Sequence, residues 1–358
     1  MRIACWCYSI IYLLGSKGKM GLIGGAMDDK NLTIGDIAQE LGVSKTTVSR
    51  AISGKGRIGE QTRKKVLDYI EEHHYSPNVV AKGLAQNKTF NLGMVMPGDY
   101  NVVELPFFQK CMLGVSRTAS AHGYDVLISM VTADNISQLE RAVTNRKIDG
   151  AILTRTLADD APMKYLIESE IPFVAMGSTD DDRVVQVDND HRSACRELTD
   201  KLLAHGIRNI ALIGSDETHI VTGNRLRGFE DAFMQRKEWD GSRRTFLNVS
   251  DGGRVDEIVE KLLEEKTECI VCMDDFLCGC VLNTLQQRQI AVPEQIQIAS
   301  FYDSTVLANR IPSITSIRFD VEELGTKACE TLLRMLDGEE VKRRTLLGYE
   351  VRMRKSTR

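Results

Sequence analysis

The chain lacks any excess of positive charge. Its 358 residues hold 46 Lys and Arg against 50 Asp and Glu, a net charge of −4, which taken whole argues against a polyanionic partner. It lacks an apolar run that could cross a bilayer. The run Ile3 to Leu14 follows a lone Arg2 and falls short of the roughly 20 residues a spanning helix needs, so no membrane partner is expected. It lacks a convincing metal-ligand spacing. Of nine cysteines, Cys269, Cys272, Cys278 and Cys280 come nearest. The first pair lies in a strand-like run, where an offset of three sends side chains to opposite faces, and the second in a helical stretch, where an offset of two diverges. Buried thiols in a reducing compartment are expected instead, with no metal and no cofactor. A nucleophile–base pair is missing too. His191, His205 and His219 are separate in sequence with no obvious acid partner, so no catalytic residue is assigned and no enzyme is expected. No heptad repeat follows the last strand-like run, which favours a dimer over a coiled-coil tetramer.

The distribution of charge matters more than its sum. Residues 31–90 hold nine Lys/Arg and six Asp/Glu, and residues 1–30 hold four and two, leaving −9 for residues 91–358. A small basic head on a large acidic body suits a protein that shows a polyanion only one end. A hydrophobic content of 42 % with 27 % charged residues is that of a globular protein long enough for two or three domains.

Residues 33 to 53 carry the most information. Ile37, Ala38 and Leu41 give the apolar face of one short helix, Gly42 sits where the chain reverses, and Ser44 is an N-cap for a second helix with Val48 and Ile52 on its inner stripe. Lys45, Thr46, Ser49 and Arg50 occupy the outer face. The pair has the form of a helix-turn-helix. A plain helical hairpin with a solvated polar face is the competing reading, and the next residues weigh against it. A basic, glycine-rich loop, Ser53 to Ile58, precedes a third helix from Glu60 to His73 with Val66 and Ile70 inside, stopped at Tyr75-Ser76-Pro77-Asn78. Val79 to Ala85 is a short, weak helix former.

Order and spacing here resemble the lactose-repressor-like (LacI/GalR) family of bacterial transcription regulators, from about Leu32 to Arg358. Residues 31–77 then form a DNA-binding head and 78–89 a hinge helix or linker. Residues 1–30 precede the resemblance, with Met20 and Met27 as alternative starts, and are expected to be a disordered or non-native extension. The resemblance places Lys45, Thr46 and Arg50 at base-contacting positions of the recognition helix. There arginine or lysine donates to guanine O6 and N7 and threonine meets a thymine methyl. It places Arg57 at a further contact and Thr33, Ser44, Thr47, Ser49 and Asn78 at phosphates. It also implies that Val79 to Gln86, including Ala81, folds only when two copies meet on DNA, with Leu84 wedged into the minor groove.

Beyond Lys88, strand-like runs (Asn91–Met96, Tyr124–Met130, Gly150–Leu153, Phe173–Met176, Ile210–Ile213, Cys269–Cys272, Ile296–Phe301, Thr315–Ile317) alternate with amphipathic helical stretches. That pattern predicts an α/β fold with a doubly wound parallel sheet. At this length two lobes are expected, and the resemblance implies a periplasmic-binding-protein-like body over 90–358. One lobe would hold 90–188 with 318–337, the other 189–317 with 338–358.

Ligands of such sheets bind at the carboxyl ends of strands. The residues there mix aromatics, carboxylates, an arginine and hydroxyls, the chemistry of a sugar site: Phe107, Phe108, Arg155, Gly177, His219, Arg225, Asp274, Tyr302 and Asp303. By resemblance, Phe107 and Phe108 are the aromatic contact and Arg225 the effector-binding arginine. Ser300-Phe301-Tyr302-Asp303 departs from the family's Gly-Phe/Tyr-Asp-Asp, so Asp274 or Asp303 is expected to supply the arm that Tyr302 replaces. The whole predicts a cytoplasmic homodimer: a repressor that binds a palindromic double-stranded operator under control of a small, carbohydrate-like effector. An exported sugar-binding protein without DNA binding, or a sugar- or nucleotide-processing enzyme, are the rival readings. The first predicts export and the second turnover.

Overall fold

The computed structural model describes residues 32–357 apart from 55, 74, 76–82, 85, 100–105, 235, 237 and 238. The expected extension at 1–30, and Asn78 and Ala81, lie outside the described residues. The chain divides into two compact units between Lys82 and Gly83.

In the first unit, helix α1 (Ile34–Leu41) opens with a capping box. Asp36 N donates to Thr33 Oγ1 at 3.3 Å while Thr33 N donates to Asp36 Oδ2 at 2.9 Å, an arrangement that contributes about 1 kcal/mol. Gly42 ends the helix at φ 65°, in the left-handed region that glycine enters without strain. Helix α2 (Lys45–Ser53) is capped by Ser44 Oγ, which accepts from Thr47 N at 3.1 Å. Helix α3 (Glu60–Glu72) follows, one residue shorter than expected. Ile37, Ala38, Val48, Ala51 and Val66 form the core between the three helices, rimmed by Leu41, Ile52, Ile70 and Tyr75. Of the expected hinge helix, Gly83, Leu84 and Gln86 are described and are helical.

The second unit carries two six-stranded sheets. The first lobe contains β1 (Asn91–Pro97), α4 (Pro106–Ala121), β2 (Asp125–Val131), α5 (Ser137–Thr144), β3 (Gly150–Leu153), α6 (Ala161–Glu168), β4 (Phe173–Met176) and β5 (Val185–Asn189). The second contains α7 (His191–Ala204), β6 (Asn209–Ile213), α8 (Ile220–Met234), β7 (Ser242–Phe246), α9 (Gly252–Glu264), β8 (Cys269–Cys272), α10 (Asp275–Gln287), β9 (Gln297–Ser300), α11 (Thr305–Ala308) and β10 (Thr315–Arg318). The chain then returns through α12 (Val321–Leu336), which packs on α4 and on β3, β4 and β5. It finishes with β11 (Arg344–Leu347) and β12 (Glu350–Arg352). The orders are β11-β5-β4-β3-β1-β2 and β12-β10-β9-β8-β6-β7. All pairings are parallel except β10 with β12.

The tail differs from expectation. Residues 338–358 do not all join the second lobe: β11 pairs with β5, Arg344 opposite Gln186 through Leu347 opposite Asn189, and only β12 reaches the second sheet. The physical reason is that β5 would otherwise be an open edge with unpaired main-chain groups. Three crossings therefore join the lobes, after Asn189, after Arg318 and after Leu347.

Alternation along the strands sorts the cores. Leu92, Met94 and Met96 of β1 join one cluster and Val95 the other face; Cys269 and Val271 of β8 face one way and Ile270 and Cys272 the other. The offset of three between Cys269 and Cys272 thus separates them, as the period of two requires. One cluster runs continuously from the first lobe into the second through Phe108, Tyr302 and Phe319.

Candidate nucleic-acid interface and interlobe cleft

Helix α2 separates its two faces sharply. Val48 and Ala51 are buried while Lys45, Thr46, Ser49 and Arg50 are exposed, with Thr47 intermediate. Arg57 is exposed in the following loop. The hydroxyls of Thr33 and Ser44 serve as helix caps, and Ser44 Oγ also meets Thr47 Oγ1 at 2.8 Å, so both residues have a structural task besides any contact with phosphate. Free amides at the start of α2 add a partial positive charge. In the second unit Leu84 stands 87 % exposed.

Between the lobes, Arg225 of α8 is the hub. Its Nη1 donates to the Met273 carbonyl at 2.7 Å, and its Nε is buried with no hydrogen-bond partner. Its charge acts on Asp188, His191, His219, Asp275 and Tyr302. Tyr302 is buried and meets Phe107 edge-on, ring centres 6.3 Å apart. The two predicted aromatics part company: Phe107 is half-buried at this contact, whereas Phe108 is packed into the core.

The other predicted residues fall into place as follows. Arg155 grips Asp99 through both carboxylate oxygens at 2.8 and 3.0 Å. Gly177, at φ 131°, lies against Thr156 so closely that a Cβ there would collide with its hydroxyl. His219 bridges to Leu157, and on either side Ala158 N donates to Thr218 O at 2.8 Å and Ile220 N to Thr156 O at 3.2 Å. This main-chain clasp ties the loop after β3 to the loop before α8. Burial, with the charge of Arg155, lowers the pKa of His219.

Both carboxylates expected to replace the lost arm already have protein partners. Asp274 Oδ1 caps α10, accepting from Leu277 N at 2.8 Å, and its other oxygen accepts from Ser215 Oγ. Asp303 is enclosed by Arg354, Nη1 at 2.8 Å and Nη2 at 2.7 Å, and by Ser316 Oγ at 2.8 Å. Burial alone would raise the Asp303 pKa, yet these hydrogen bonds and the arginine's charge hold it below the usual range. Asp303 therefore positions the loop that carries Tyr302.

Sequence reasoning missed the groups that do surround Arg225. Asp188, at the end of β5, accepts from Ser178 Oγ at 2.6 Å and Asn189 N at 2.8 Å. Burial raises its pKa against the opposing pull of these bonds and of Arg225. Its Oδ1 lies 3.6 Å from His191 Nε2, so His191 does have an acid neighbour, contrary to expectation. Burial, reinforced by Arg225, pushes the His191 pKa well down and keeps the ring neutral, stacked 4.7 Å from Phe319. Asp275 is likewise pushed up by burial, against a hydrogen bond from Ser304. The run Val184 to Asn189 ends in polar residues, which hid β5. Once β5 is recognised as a strand, the carboxyl-end rule points straight to Asp188 and Asn189.

Known proteins match segments of both units. The family of bacterial regulatory proteins, lacI family, matches residues 33–78, and the periplasmic binding protein-like domain matches residues 199–357. Catabolite control protein A of Priestia megaterium is 29 % identical over 346 residues, covering 92 % of this chain and 100 % of that protein. The HTH-type transcriptional regulator MalR of Streptococcus pneumoniae (TIGR4) is 28 % identical over 312 residues, 86 % of this chain and 93 % of that one. Among solved structures, the lac repressor dimer bound to operator and the anti-inducer ONPF superposes with a TM-score of 0.74 at 22 % identity, over 92 % of this chain and 99 % of that one, a likeness of fold. This chain thus carries a lacI-type segment at residues 33–78 and a periplasmic-binding-protein-like segment at residues 199–357, and it is similar over almost its whole length to regulators of the lacI type.

Proposed function

We propose that the chain is a sequence-specific DNA-binding transcriptional regulator, a cytoplasmic homodimeric repressor whose operator affinity is set by a small carbohydrate-like effector between the lobes. The observation that carries the reading is the outer face of α2. Lys45, Thr46, Ser49 and Arg50 stand in solvent on a helix anchored from behind by Val48 and Ala51. Those side chains, with Arg57, read base edges and phosphates in a major groove. A two-fold dimer presents two such helices to two half-sites of a palindrome. Leu84, an exposed leucine close after the head, has the chemistry of a wedge that unstacks a base step.

The effector half of the proposal rests on the cleft around Arg225, with Phe107 and Tyr302 as the aromatic wall for the C–H face of a sugar. Ligand there changes the angle between lobes, and operator binding and effector binding are coupled reciprocally. Because Arg50 is exposed, Arg50→Ala leaves the fold intact. It should weaken binding to the palindrome upstream of the protein's own gene by ten- to a hundredfold, on the scale of one base-reading arginine. Fluorescence anisotropy on that duplex and on a scrambled one is the measurement. Unchanged discrimination between the two duplexes would remove the recognition-helix assignment.

A further inference from the structure

We propose that the body supplies the hinge with a preformed, capped helical turn in the free protein, so that on DNA the hinge helix extends from a finished end instead of nucleating afresh. The consequence for operator binding rests on the regulator reading above.

The division between the two compact units falls before Gly83, so the turn that follows belongs to the body. Gly83, Leu84 and Gln86 are helical, and Asn87 then takes φ 52°. Lys88 N donates across the turn to the Gly83 carbonyl at 3.0 Å. A left-handed residue followed by a hydrogen bond reaching five residues back is the Schellman arrangement that finishes a helix. Asparagine is among the few residues besides glycine that enter the left-handed region readily. Gly83 is buried, and a Cβ on it would lie 2.5 Å from the Lys88 carbonyl oxygen. The turn is therefore folded tightly onto the residues that cap it.

Those residues are pinned in their turn. Lys88 Nζ reaches Asp337, the C-cap of α12, at 3.3 Å and lies 5.9 Å from the centre of the Tyr124 ring. Asp149 accepts from Thr89 N at 2.6 Å, Thr89 Oγ1 at 2.8 Å and Phe90 N at 2.9 Å. An exposed ion pair contributes little by itself; the three bonds to one carboxylate carry the anchor. Phe90 keeps φ 56°, a conformation that a residue with a large side chain holds only where its surroundings over-determine it.

Starting a helix is far harder than extending one: the first turn carries a statistical weight of about 10⁻³ in an isolated peptide. A turn closed at Asn87 and fixed at Lys88, Thr89 and Phe90 removes most of that penalty. It also presents Leu84, 87 % exposed, from a set position before any duplex arrives.

The test combines amide hydrogen exchange on the free full-length protein with fluorescence anisotropy on the palindrome. Without DNA, the Lys88 amide should exchange at least about tenfold more slowly than in an open chain. Asn87→Val should abolish that protection while the Thr89 and Phe90 amides, bonded to Asp149, keep theirs and report a folded body. The same variant should bind the palindrome at least about fivefold more weakly, and Asn87→Gly should bind as wild type does or tighter. Gly83→Ala separates a capped turn from simple helix propensity. Alanine favours an isolated helix over glycine, so propensity alone predicts tighter binding, whereas a methyl driven against the Lys88 carbonyl predicts weaker binding. A fast-exchanging Lys88 amide in the free wild type, or tighter binding by Gly83→Ala, overturns the proposal and leaves the regulator reading standing. A wild type that does not tell the palindrome from a scrambled duplex removes that reading and the proposal with it.

Discussion

The two lobes use one plan twice and finish it differently. Their sheets share the same strand order, and in each a pair of helices crosses at glycine. In the first lobe Gly114 and Gly325 bring α4 and α12 together, and a Cβ on either would strike the carbonyl of Glu322 or Cys111. In the second, Gly228 lets α8 lie on α7 against the Arg192 carbonyl. The edges differ. Strand β7, at the edge of the second sheet, shows Ser242, Arg243, Arg244 and Thr245 to solvent, the charged edge that discourages pairing with another chain. Strand β2, at the corresponding edge of the first, shows Leu127 and Ile128. Ile128 shares a sheet face with Val126 and with α4, where Leu113 is also exposed; Leu113 and Ile128 are each 44 % accessible. The duplicated scaffold thus leaves apolar side chains in solvent at one sheet edge and charged ones at the other. The closing strands differ as well: β11 runs parallel and β12 antiparallel, and beyond β12 the tail locks onto the second lobe through Arg354 and Ser356.

The largest way to break this comparison is to remove the lock. Arg354→Ala leaves Asp303 buried without its counter-ion and should cost about 3–5 kcal/mol of stability, read by urea denaturation, with no matching site in the first lobe. The sign with pH follows from the lowered Asp303 pKa. The pair's contribution is complete above the carboxyl's unfolded pKa and fades as pH falls through the lower folded value. Wild type should therefore lose stability on acidification more steeply than the variant. Next comes Gly325→Ala, which forces α4 and α12 apart and should cost about 1–3 kcal/mol in melting experiments; an unchanged melting temperature would mean the crossing is looser than it looks. The smallest effect is on assembly. Leu113→Lys with Ile128→Lys should weaken the dimer by about tenfold in sedimentation velocity, while Arg244→Leu on the opposite lobe should leave it alone.

Much of the scaffold was legible because burial on both sheet faces writes itself as continuous apolar runs. Gly150–Leu153, Phe173–Met176 and Cys269–Cys272 coincide with observed strands. Where burial is one-sided the signal fades. Strand β7 is an exposed edge of arginines, and β5 ends in Asp188 and Asn189. The tail, expected whole in the second lobe, is two short strands in different sheets parted at Gly348 and Tyr349. Within the cleft, Arg225 was readable from its local motif. The pairing of Asp303 with Arg354, 51 residues away, depends on β12 lying beside β10, and no local pattern announces a contact of that reach. His191 offers no obvious acid partner in the sequence, although Asp188 stands three positions earlier. Sequence distance on a strand-to-helix crossing says little about distance in space.

The body is stitched at three neighbouring places, after Asn189, Arg318 and Leu347. Two halves sewn along one seam cannot drift apart or slide freely; what is left to them is to swing about that seam. A molecule small enough to sit near the seam then moves nearby atoms little and remote ones much, in proportion to their distance from it. Along such a seam, the atoms of either lobe that lie farthest from it sweep the longest arcs.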